Sequence, residues 1–119
     1  MFTNFIFVGI GGALGAILRY GINELFERYL ISSAMISILI INILGCFLIG
    51  LALGSSMPSK DVSYYFFIIG FLGSFTTMSA VTHQTLLMAN TNLIYGVSYI
   101  MLTVLATIVA TYLGILIAK

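Results

Sequence analysis

Four long apolar stretches make up most of the chain, and polar residues fall either between them or at a few positions inside them. An apolar run of about 20 residues without strict alternation reads as a membrane-spanning helix. The first run, residues 2–20, carries Gly9, Gly11, Gly12 and Gly15 in its middle. Gly11 and Gly15 form a small-xxx-small face for close helix contact. The second run, residues 30–54, has no charge and places Asn42 near its centre. The third, residues 62–92, is long for a single span, which fits two half-helices separated by irregular backbone. A turn is predicted at Asn90, Thr91 and Asn92, and the fourth run covers residues 93–118.

The third run also holds the densest cluster of uncharged polar residues: Gly70-Phe71-Leu72-Gly73-Ser74-Phe75-Thr76-Thr77-Met78-Ser79 and onward to Thr82, His83 and Gln84. A helix in lipid satisfies its own backbone, so such sequence at membrane depth predicts a helix opened around a cavity or an ion. The plainer alternative is close glycine packing with hydroxyls bonded back to their own helix. Asn42 offers two donors and one acceptor oxygen, and either bonds a neighbouring helix or lines a polar path. Thr103, Thr107 and Thr111 recur every four residues, which sets their hydroxyls on one stripe, as a polar track or as interface glue. Arg19 either snorkels to the interface or faces protein or water.

Composition fixes the environment. With 119 residues, 61% hydrophobic content, 6% charge and a mean hydropathy of +1.22, the chain reads as a single-domain, all-α integral membrane protein. No removable signal peptide is read at its start. Cys46 is the lone cysteine and reads as a buried spectator with no intrachain disulfide. Glu24, Glu27 and Arg28 mark an aqueous loop, as does the segment around Pro58 and Lys60. Four spans would set Lys60 and Lys119 on one side and Arg19 and Arg28 on the other. That tie predicts weak orientation preference and insertion both ways up. A net charge of +1 without a basic patch argues against nucleic acid.

No His, Cys, Asp and Glu spacing suits a metal, and no Ser-His-acid set can be assembled, so the sequence reads as a non-enzyme. What remains is a set of neutral donors in apolar helices. Such a lining suits an anion, with no carboxylate to repel it and no buried lysine to trap it. Gly11-Gly12-Ala13-Leu14-Gly15-Ala16 leading to Arg19-Tyr20, then Asn42-Ile43-Leu44-Gly45, then Gly70-Phe71-Leu72-Gly73 running into Thr76-Thr77-Met78-Ser79, resembles the CrcB/Fluc family of fluoride channels.

The resemblance implies four transmembrane helices per subunit with a broken third helix, an antiparallel dual-topology dimer in the bacterial plasma membrane, and passive export of cytoplasmic fluoride. It implies a central sodium ion held by backbone carbonyls of Gly73 and Thr76 from each subunit. It also implies a pore lined by Asn42, Met78, Ser79, Val81, Tyr99 and Thr103. The family's pattern Thr-Thr-Phe-Ser-Thr-Phe reads here as Thr76-Thr77-Met78-Ser79-Ala80-Val81, without either phenylalanine. Polarisable Met78 partly stands in for a ring, whereas Val81 offers no comparable edge. Two arrangements follow: a heterodimer whose partner supplies the phenylalanines, which the sequence favours, or a homodimer with an altered lining. From another class, a small proton-coupled multidrug exporter shares the size, the spans and dual topology, but requires an acid within the membrane.

Overall fold

In lipid every backbone N–H and C=O must be bonded internally, and a helix achieves this within one segment. The computed structural model describes residues 2–30, 34–54 and 63–119, and nearly all of these are helical. Helix α1, Phe2–Leu25, widens into a π-helical turn at Phe26–Leu30, and α2 covers Ala34–Gly54. A π-helical stretch, Tyr64–Leu72, passes into one regular turn at Gly73–Phe75, and the two together are α3. After two extended residues the chain resumes as α4, Met78–Thr91, and α5 covers Leu93–Ala118. Four segments, of 28, 20, 28 and 26 residues, are long and apolar enough to cross a membrane. The predicted loop around Pro58 and Lys60 lies outside the described residues.

The turn predicted over Asn90, Thr91 and Asn92 contracts to Asn92 alone, because α4 continues through Thr91. Asn92 donates its N–H to the Met88 carbonyl at 2.9 Å and accepts from the Ile94 N–H on its side chain at 2.9 Å. One residue thus closes one helix and caps the next.

Helix association in lipid has no hydrophobic drive, so backbones must approach closely enough for dispersion to hold them. A Cβ built at Gly11 would strike the Phe66 carbonyl, and one at Gly15 the Phe71 carbonyl. Those carbonyls are five residues apart on α3, which is one turn of a π-helix, while their glycine partners are four apart on α1. The wider turn therefore keeps the two helices in register. Between α2 and α5, Gly50 abuts the Thr111 carbonyl and Gly114 the Phe47 carbonyl in the same manner.

These contacts divide the third span between two neighbours. Its α3 half packs on α1, its α4 half packs on α5, and α2 lies alongside α5. Among the described residues α1 makes no close approach to α4 or α5. The two extended residues sit where the chain passes from one neighbour to the other. Phe75, Ile41, Val81 and Ser37 are the most enclosed side chains, and the Ser37 hydroxyl donates to Asn23 Oδ1, tying the end of α1 to the start of α2. Ile17, Leu105 and Ile117 are exposed on the outside, where lipid is their natural solvent.

Candidate functional site

Thr76 and Thr77 have extended backbone, with φ/ψ of −86°/152° and −152°/122°. Their β-branched side chains suit that region. Thr76 remains tied to the preceding helix, since its N–H and its hydroxyl both donate to the Leu72 carbonyl at 3.1 Å. Thr77 is held from another helix. Its N–H donates to Asn42 Oδ1 at 2.8 Å, and its carbonyl accepts from Asn42 Nδ2 at 3.2 Å. A carboxamide presents the same donor and acceptor as a peptide, so Asn42, only 5% exposed, takes the place of a neighbouring stretch of backbone. The Thr77 hydroxyl in turn accepts from the Ala80 N–H at 3.4 Å, capping α4, and lies 2.9 Å from the Ser79 hydroxyl.

Diverting those donors frees two acceptors. In a continuous helix the Thr77 N–H would serve the Gly73 carbonyl, and the Ala80 N–H the Thr76 carbonyl. Both N–H groups bond side chains instead. Carbonyl oxygens released in this way suit a hard cation such as sodium. One chain supplies two of them, so most of a coordination shell would come from elsewhere.

Beside the interruption lies a cleft of about 190 Å³. Asn42, Thr76, Thr77, Thr103 and Thr107 form its polar wall, and Met78 and Val81 belong to its apolar wall. Its lining carries no charged side chain. The first turn of α4, which begins at Met78, leaves N–H groups without intrahelical acceptors and carries the positive end of a helix dipole.

The threonine stripe on α5 divides its work. The Thr111 hydroxyl donates to the Cys46 carbonyl across the interface and to the Thr107 carbonyl, at 3.1 Å each, and that of Thr107 donates to the Thr103 carbonyl at 2.8 Å. Thr103 is different. Its hydroxyl is buried, the residue being 4% exposed, and meets no partner at good hydrogen-bond geometry among the described residues, although the Tyr99 hydroxyl one turn earlier lies near it.

The cleft therefore gathers Asn42, Thr76, Met78, Val81 and Thr103 from the sequence-predicted set. Met78 is 56% exposed, while Val81 is enclosed and also packs with Ile38 and Tyr99. The lining omits Gly73, Ser79 and Tyr99. Tyr99 lies in the core with its hydroxyl donating to the Met35 carbonyl at 3.0 Å, Ser79 is exposed at the start of α4, and Gly73 is exposed on α3. Arg19 is partly buried, its Nε withdrawn from solvent without a partner among the described residues. Cys46, read from sequence as a buried spectator, is only half-buried and belongs to the cleft wall. Its spacing of four from Asn42 is the signal that sets both on one face of α2.

The profile of the CrcB-like protein family (Camphor Resistance, CrcB) matches residues 6–115. A protein of Campylobacter jejuni named fluoride-specific ion channel FluC is 37% identical over 123 aligned positions, covering the whole of both chains. Proteins of the same name from Haemophilus ducreyi and Flavobacterium psychrophilum are 36% and 33% identical, covering 98% and 95% of this chain and 92% and 94% of their own lengths. With its four membrane-length helices, this chain is a multi-pass membrane protein that belongs to the CrcB family.

Proposed function

We propose that the chain is a subunit of a passive, fluoride-selective channel that releases cytoplasmic fluoride across the bacterial cell membrane. Its relatives carry the name of fluoride-specific ion channels. The observation that carries the reading is the buried Thr103 hydroxyl, without a partner at good hydrogen-bond geometry, on a residue that lines an uncharged cleft beside the helix interruption. Leaving a buried hydroxyl unbonded costs about 1–3 kcal/mol, a cost that an anion accepting from it would remove. Fluoride sheds tightly held water on entry, and the Thr103 hydroxyl, the second N–H of the Asn42 amide and the first turn of α4 are the replacement donors.

In this reading two antiparallel copies complete the channel. The Gly73 and Thr76 carbonyls of both copies hold a sodium ion between them, which fixes the interruption and offsets the approach of an anion. Met78 and Val81 line the cleft, exposed Ser79 would carry the path beyond it in the assembled pair, and Tyr99 supports the wall from the core. The exporter alternative would place its proton carrier at Glu24, but that carboxylate lies 3.6 Å from the Arg28 guanidinium at the exposed end of α1.

The test is fluoride efflux from liposomes holding the purified chain alone, followed with a fluoride-selective electrode. Fluoride efflux with chloride retained is the expected result, and its appearance with this chain alone would identify a working homodimer. Efflux appearing only with a second, phenylalanine-bearing subunit would instead support the heterodimer. Absence of fluoride flux under both conditions would overturn the channel reading.

A further inference from the structure

Helix α2 meets the rest of the molecule along two adjoining stripes. On the first, Ser37 donates its hydroxyl to Asn23 Oδ1 of α1, Ile41 is enclosed, and Gly45 lies against the Thr76 side chain and the Phe75 ring where α3 ends. On the second, Ile38 packs with Val81 and Tyr99, Asn42 holds the Thr77 backbone, and the Cys46 carbonyl accepts from Thr111. Each stripe repeats every four residues, so one faces α1 and α3 and the other faces α4 and α5. Helix α2 thus splints two packed units across the interruption.

Between these units the chain itself is a weak link. Thr76 and Thr77 are extended, so no helical ladder locks their dihedrals, and α1 and α3 are free to turn together against α4 and α5. Helix α1 is fastened to α3 at Gly11 and Gly15 and then runs on past its last turn, since Gly15 already lies against Phe71 and Phe75. Asn23 stands about 12 Å beyond Gly15 along the helix. At that end of the lever its partner is Ser37, which is fully buried.

We infer that Ser37 is a positioning residue for the channel: by holding Asn23 it keeps the α1 and α3 unit from pivoting at Thr76 and Thr77, and so fixes the direction of the Gly73 and Thr76 carbonyls. Its role in transport rests on the channel reading, whereas the restraint itself does not. A swing of about 3 Å at Asn23 turns the interruption by about 15°, at the limit of the roughly 10–20° within which a binding constellation keeps its geometry.

The test compares Ser37→Ala, Asn23→Leu and the double variant in the full chain. Each single change leaves one polar group unpaired and is expected to lower resistance to SDS, whereas the double variant removes both groups and returns close to wild type. The distance between α1 and α5 is read by double electron–electron resonance. Nitroxides are placed at the exposed positions Ile17→Cys and Leu105→Cys in a Cys46→Ser background, diluted with unlabelled chain. The distance distribution is expected to broaden in all three variants. Fluoride efflux, measured in chains that retain Cys46, is expected to slow about tenfold in all three, within the hundredfold that an ångström of misplacement can cost.

A bond that served stability alone would give the double variant wild-type distances and wild-type efflux, and that result overturns the inference. Unchanged distances in the single variants overturn it too, as does undiminished efflux from variants whose distances have broadened. Broadened distances in the variants, with no fluoride flux even in wild type, would uphold the restraint at Ser37 and reject the channel reading.

Discussion

Replacing Asn42 with alanine strips both partners from the Thr77 backbone at once. The lost bonds, 2.8 Å to the N–H and 3.2 Å to the carbonyl, join segments 35 residues apart. Side-chain hydrogen bonds between membrane helices average about 0.6 kcal/mol and reach about 1.7, because a loosened chain in lipid finds other partners. Thr77 has few alternatives in its extended conformation, so both bonds belong near the top of that range and their joint loss should cost about 2–3 kcal/mol. Reversible unfolding of the detergent-solubilised protein by SDS titration measures it. A change below about 0.5 kcal/mol in Asn42→Ala, within the range of inconsequential surface substitutions, would refute the claim that this side chain holds the interruption.

Two further substitutions probe the surroundings. Gly45→Ala drives a methyl into the Thr76 side chain, with the Phe75 ring 3.3 Å away, so it should cost about 1–3 kcal/mol in the same unfolding assay and slow fluoride efflux. Unchanged stability would show that Thr76 is free to move aside. Glu24→Gln removes an ion pair whose members are 40% and 70% exposed, so stability should change by less than about 1 kcal/mol and efflux should stay at the wild-type rate. A flux that collapses in this variant, or that follows a proton gradient, would favour the exporter.

The four spans were legible because apolar runs of membrane length have few other uses, and the Gly11 and Gly15 face did meet a neighbour at backbone distance. The glycine and hydroxyl cluster coincides with the residues whose dihedrals leave the helical region, since consecutive threonines at membrane depth tolerate extended backbone when another helix supplies partners. What local pattern could not supply was the identity of that partner. Asn42 as helix glue and Asn42 as cleft lining were separate alternatives in the sequence, and one side chain meets both descriptions. The threonine stripe likewise splits, with Thr111 tying two helices while Thr103 meets no partner at good geometry, a difference that depends on which carbonyl lies within reach. Tyr99 sits one turn from Thr103 yet spends its hydroxyl on Met35, 64 residues away, and no periodicity reveals such a contact.

Thr103→Val offers the most direct trial of the central claim, because it deletes the buried hydroxyl and keeps the shape. A hydrogen bond to an anion contributes about 1.5–3 kcal/mol, so fluoride efflux should fall roughly 10- to 100-fold while SDS resistance is unchanged or higher. Efflux at the wild-type rate from this variant would contradict the account, since fluoride would then cross without the donor that the cleft holds in reserve.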